Sequence, residues 1–104
     1  MVGTITISKR TLNSLVKFVK EEIKKLQSEL VAIDEELALL ETKYGISSDD
    51  FLRMLQGERE WDLPEGSEPD IVEWEALLEQ KKRLEKELKE LRELWRQLQD
   101  YNRS

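Results

Sequence analysis

Cysteine and histidine are both absent from the 104-residue chain. Their absence excludes a disulfide framework, zinc held by Cys and His, and any nucleophile activated by a histidine base. Glycine (4) and proline (2) are scarce, so little of the chain is loop, and the scattered glycines form no phosphate-binding loop. Apolar runs stop after a few residues, far short of the roughly 20 needed to span a bilayer. The start, MVGTITISKR, has neither the apolar stretch nor the cleavage site of a secretory signal. The reading is a cytoplasmic protein with no membrane partner. Missing cysteine fits a reducing compartment. Asparagine stands only at Asn13 and Asn102, which together with abundant Glu and Lys points to a thermophile.

What is present is charge and leucine. Charged and hydrophobic residues each make up 38% of the chain, the composition of long solvated helices. The net charge of -6 is unevenly placed. Residues 1–44 hold 7 basic and 7 acidic side chains, residues 45–75 hold 2 and 10, and residues 76–104 hold 8 and 6. A middle segment this acidic calls for a basic partner surface and repels nucleic acid.

Val2–Ile7 alternates Thr4 and Thr6 with Ile5 and Ile7, the period of a short strand, so 1–8 is read as a strand or arm. Ser8 then caps a helix, with Ile7 and Leu12 at the two positions of a hydrophobic staple. From Leu12 the apolar residues fall in 4-3 steps through Val16, Val19, Ile23, Leu26, Leu30, Ile33, Leu37, Leu40 and Tyr44, predicting a long helix over 9–44 ended by Gly45. Ser47 caps a short helix over 47–56, closed by Gly57. Residues 57–68 form an acidic connector. A last helix over 69–103, with Pro69 in its first turn, carries a second 4-3 series: Trp74, Leu77, Lys81, Leu84, Leu88, Leu91, Trp95, Leu98.

The two long segments match in length. Folded back antiparallel about the connector, they form layers Val16–Leu98, Val19–Trp95, Ile23–Leu91, Leu26–Leu88, Leu30–Leu84, Ile33–Lys81, Leu37–Leu77 and Leu40–Trp74. The expected fold is therefore all-α: one domain over 1–104, an antiparallel long helical hairpin of coiled-coil type, with a short helix at the turn and a short N-terminal strand. Flanking charges do not choose this register, since Lys43 faces Glu73 favourably but Glu29 faces Glu87 unfavourably. Apolar residues off the seam are left over, among them Val31, Leu39, Val72 and Leu78. Ile5, Ile7, Leu15, Phe18, Leu94 and Tyr101 gather toward the free ends of the hairpin and predict a homodimer interface, with the strands pairing across a two-fold axis.

No residues converge for catalysis, and no enzyme, cofactor or metal site is expected. A carboxylate-bridged metal pair in a helix bundle would need Glu-x-x-His. Asp49 and Asp50 suit a helix N-terminus, and Glu21, Glu22, Asp34, Glu35 and Glu36 suit solvated faces. Ser47 and Ser48 are explained by capping. Lys81, at a core position, either reaches out to an acid along its stem or specifies register, with the first favoured. Trp61 and Leu63 lie in the acidic connector. They either fold back to plug the turn against Tyr44, Phe51 and Trp74, or anchor a partner, with Glu58, Glu60, Asp62 and Glu65 steering a basic surface onto them. Residues 1–28 carry six basic and two acidic side chains. With the T-I-T-I strand they faintly resemble ribbon-helix-helix DNA binders, though those break their first helix early. Nucleic acid is expected, if anywhere, only at 1–28.

The run Lys43-Tyr44-Gly45-Ile46-Ser47-Ser48-Asp49-Asp50-Phe51, then Gly57, then Glu73-Trp74-Glu75-Ala76-Leu77, resembles a pattern in small archaeal and cyanobacterial proteins. There a long helix leads to K-Y-G-M-S-x-x-x-F, an acidic stretch, and W-x-x-L opening a last helix. Ile46 stands where Met is commoner. The resemblance spans roughly residues 30–90. Those proteins are similar to antitoxins of type II toxin–antitoxin pairs, encoded beside a small toxin that is often a ribonuclease. It implies a non-enzymatic protein that neutralises a small basic toxin by binding it. The alternatives are a structural or chaperone-like coiled-coil subunit, similar in outline to prefoldin, and a transcription regulator. The regulator would bind DNA through its N-terminal ribbon, or enter polymerase with an acidic tip where Asp49 and Asp50 hold Mg²⁺.

Overall fold

The computed structural model describes residues 7–103, all of whose regular structure is helical. Three helices follow in order: α1 (Lys9–Tyr44), α2 (Ser48–Leu55) and α3 (Glu68–Arg103). The two long helices lie against each other over their length, and the molecule measures 60 × 29 × 19 Å. Its radius of gyration, 20.1 Å, far exceeds the ~13 Å of a compact chain of this size. The expected strand falls on Val2–Ile7. Apart from Ile7, an irregular residue ahead of the helix, that strand and Ile5 lie outside the described residues.

Local chemistry sets each helix end. Ser8 is extended (φ -63°, ψ 150°), and its Oγ accepts from the Thr11 amide, satisfying one of the orphan donors of α1. Ile7 packs with the cluster around Leu12, as a staple requires. Gly45 takes φ 68°, and its amide donates to the Glu41 carbonyl. Ser47 Oγ accepts from the Asp50 amide at the start of α2. At the end of α2 the Glu58 amide donates to the Arg53 carbonyl and the Gly57 amide to Met54, with Gly57 at φ 75°, which closes a Schellman motif. Ser67 is buried; its hydroxyl donates to the Pro64 carbonyl at 2.6 Å and its own carbonyl accepts from the Ile71 amide. Pro69 costs α3 nothing, because a first-turn N–H has no partner within the helix.

The seam buries Leu12, Val19, Leu26, Ile33, Leu37 and Leu40 of α1 against Trp74, Leu77, Leu84, Leu88 and Leu98 of α3. Ile23 and Leu91 pack against both clusters of this core and join them. The clusters are unequal. The one toward the turn, the closed end, recruits Phe51 of α2, with Ile46, Leu55, Leu63, Ile71 and Leu78 around it. The open end holds Leu12, Val19 and Leu98 with a half-buried fringe. Two cross-helix ion pairs lie within one residue of the predicted layers: Lys81 Nζ to Asp34 at 2.7 Å and Lys43 Nζ to Asp70 at 2.6 Å. Lys43 therefore pairs with Asp70, one turn nearer the start of α3 than the expected Glu73. Lys81 behaves as the favoured expectation had it: its stem packs beside the seam and its amine reaches an acid across it.

Candidate protein-binding site

The closed end is built around Trp74, which has no exposed surface. Phe51 stacks on one side of it (4.1 Å between ring centres, 2° between planes) and Tyr44 approaches at 5.9 Å and 25°. Burying an indole requires a partner for its N–H. Ser48 supplies one: Trp74 Nε1 donates to its Oγ at 3.0 Å. This corrects the expected role of Ser48, whose hydroxyl serves the ring of α3 while Ser47 alone makes the side-chain cap. The Ser48 amide, left over at the start of α2, donates to Glu41 Oε2 of α1 at 2.7 Å. One carboxylate thus ties α2 back onto α1.

A second polar knot closes the turn. Asp70 Oδ2 accepts from both Lys43 Nζ and Tyr44 Oη. The hydrogen bond from Lys43, then that from Tyr44, holds the Asp70 carboxyl below its ordinary range. The same bond to Asp70, reinforced by its charge, raises Lys43, and the Tyr44 hydroxyl is raised by its bond to Asp70.

The connector leaves this base pinned at two places. Arg59 Nη1 meets Asp50 Oδ2 at 2.8 Å, and Arg53 flanks the other oxygen of the same carboxylate at 3.7 Å. Leu63 packs on the core cluster. Between these anchors Trp61 stands 49% exposed, in a shallow hollow of about 300 Å³ lined by Arg59, Glu60, Trp61 and Asp62. Of the two apolar connector residues, Leu63 is the plug, and Trp61 is outside it. Glu58, Glu60, Asp62 and Glu65 are all exposed around it. Sequence reasoning missed the Arg59–Asp50 latch, although two lone basic residues in so acidic a segment were the signal that could have found it.

At the open end Leu15, Phe18, Leu94 and Tyr101 are 39–58% exposed. Tyr101 Oη accepts from the Ile7 amide at 3.1 Å, fixing the chain entry beside the end of α3. Among the described residues no three acidic side chains are grouped to hold a metal, and no helix is long and apolar enough to cross a membrane.

The sequence pattern of one protein family, the Uncharacterized protein MJ0235 family, matches residues 4–96. No curated protein and no solved structure matches the chain.

Proposed function

The chain belongs to that family, and from its closed-end geometry we propose that it is a non-enzymatic protein-binding module of the cytoplasm, an antitoxin that neutralises a small basic toxin by direct binding. The observation that carries this reading is the exposed Trp61, framed by Glu58, Glu60, Asp62 and Glu65 on a connector held at Arg59 and Leu63. Trp is enriched among binding hot spots, where a ring held at the surface fills a pocket on the partner and acidic neighbours steer a basic surface onto it. Because the connector is anchored on both sides of it, little ordering entropy opposes its docking. The acids draw in a basic surface, and the ring then fills a pocket on it. Leu15, Phe18, Leu94 and Tyr101, exposed together at the open end, support a homodimer that leaves both closed ends free.

The test is co-expression with the small basic protein encoded in the adjacent reading frame. A stable complex, growth rescue, and at least a tenfold weaker complex with Trp61→Ala at unchanged melting temperature are the expected results. A partner that binds Trp61→Ala as tightly as the parent chain removes the anchor, and no basic neighbour removes the antitoxin reading.

A further inference from the structure

The hairpin is polarised along its length. Cutting it at the layer between residues 28 and 86 leaves 11 basic and 6 acidic residues in the open half (1–28 and 86–104), net +5. The closed half (29–85) holds 6 basic and 17 acidic residues, net -11. The rod is 60 Å long, so the centres of the two halves lie about 30 Å apart, several Debye lengths at physiological salt, where that length is about 8 Å. Each end therefore presents its own field.

The positive charge of the open half is also sorted around the rod. Label the seam residues of α1 and α3 as a and d of a heptad. One flank then consists of the e and b positions of both helices, which face the same side in an antiparallel pair. On that flank every charged residue of the open half between 7 and 103 is basic: Arg10, Lys17 and Lys24 at b of α1, Lys89 and Arg96 among the b residues of α3, Lys20 and Arg92 at e. All of these are exposed. Their acidic neighbours in the open half, Glu21, Glu22, Glu87, Glu90, Glu93 and Asp100, fall at c, f or g. Arg96 is paired with Glu93 at the border, where a shallow groove of about 450 Å³ runs along Lys89 and Arg92 and ends at Glu85, an exposed e-position acid that marks where the basic flank gives way to the acidic half. Lys20 and Arg92 occupy facing e positions of one layer, a like-charge pairing that costs the hairpin stability and asks for an external anion. The exposed apolar side chains of this half, Leu15, Phe18, Leu94 and Tyr101, are at c or g, on the other side.

That separation selects the occupant. A protein partner needs an apolar centre, and lysine is depleted from such centres. A bilayer surface needs insertable apolar groups beside the cations. A single strand needs exposed rings on which bases stack. This flank offers none of these, only cations repeated every seven residues, about 10.5 Å, along two straight ridges. We propose that the e/b flank of the open half binds the phosphate backbone of double-stranded nucleic acid, without reading sequence. The contact uses both helices and lies outside the N-terminal ribbon, and it stands independently of the closed end and its basic partner.

The test is fluorescence anisotropy of the full chain with labelled 20-base-pair DNA and RNA duplexes and the matching single strands, at two salt concentrations, with light scattering on the same samples. Duplex binding at low salt should weaken as salt rises, with a log–log slope of about -4, as four or five phosphate contacts require. The triple variant Lys17→Glu, Lys24→Glu, Arg92→Glu should lose at least tenfold in affinity while keeping its helical circular dichroism. Lys25→Glu with Lys86→Glu, which changes cations off this flank, and Trp61→Ala should bind within twofold of the parent. The proposal is overturned by no duplex binding at low salt, by a preference for single strands, or by equal losses from the off-flank pair. A salt-dissolved dimer that the triple variant abolishes, without duplex binding, would make a second copy the occupant and also overturn it.

Discussion

At the scale of single residues, Trp74 and Phe51 are fully buried and stack face to face, so each fills space that nothing else can. Trp74→Ala should cost about 3–5 kcal/mol in urea unfolding, the range of large aromatic truncations. Ser48→Ala should cost about 1–3 kcal/mol, because it leaves the buried indole N–H without an acceptor. Trp61→Ala removes a ring already half in water and should change stability by no more than about 0.5 kcal/mol. The seam was legible as two matching 4-3 series. The rings of Tyr44, Phe51 and Trp74 were legible as the wall of the turn, but which of Trp61 and Leu63 joins them depends on the path of the connector, and an aperiodic connector carries no signal for that. The Asp70 knot also gives a pH dependence. Its carboxyl is held low, so its contribution is present above the ordinary carboxylate pKa of 3.8 and is lost as pH falls through the lowered value. Lys43 and Tyr44 are raised, so theirs is present below 10.5 and 10.0 and is lost as pH climbs through the raised values. Melting temperature against pH should be flat from these groups between about 5 and 9 and fall at both sides. Asp70→Asn should flatten both falls.

At the scale of elements, the helix ends were readable because cap chemistry is local: a serine three residues from the amide it serves, and a glycine where φ turns positive. Ser8, Ser47, Gly45 and Gly57 carry that chemistry, with Gly45 and Gly57 at φ 68° and 75°. The long-range tie from Glu41 to the start of α2 was not readable, since three residues of turn had to be built before that carboxylate met the Ser48 amide. Glu41→Gln keeps an acceptor for the amide but removes the charge that complements a helix N-terminus. It should destabilise the closed end by about 0.3–1 kcal/mol at low salt, with the loss shrinking as salt is added. Thermal unfolding of the two chains at two ionic strengths checks this. Lys81 is the one charged member of the seam series. Its raised pKa comes first from the hydrogen bond to Asp34 and is opposed by burial. Lys81→Leu should make the chain more stable, since a polar residue at a seam position costs stability, and Asp34 is exposed enough to return to water.

At the scale of the whole molecule, the hairpin can be checked without interference because the chain has no cysteine of its own. Asn13→Cys with Gln99→Cys, at facing e positions of the open half, should be joined within one chain by a short bis-maleimide. A mixture in which every crosslink joins two chains would indicate exchanged helices. The expected strand and its pairing across a dimer fall on residues 2–7, and five of those six positions lie outside the described residues; the open end is therefore read through Tyr101 and the apolar side chains beside it.

The imbalance between the two core clusters sets an order of events. Around the turn, residues about 26 apart in sequence are tied together by rings, hydrogen bonds and an ion pair; at the far tips, a bond spans 94 residues with three buried side chains beneath it. Closing a short loop first makes each later layer cheap, because the strand of chain already docked holds the next pair close. The rod should therefore zip from its turn toward its tips and fray in the reverse sense. Amide hydrogen exchange should rise layer by layer from Leu37 to Leu12 on one strand of the hairpin and from Leu77 to Leu98 on the other. The tips of a rod built this way breathe while its base stays shut, so a ligand gripping both helices near the tips would act as a clasp and slow exchange there first.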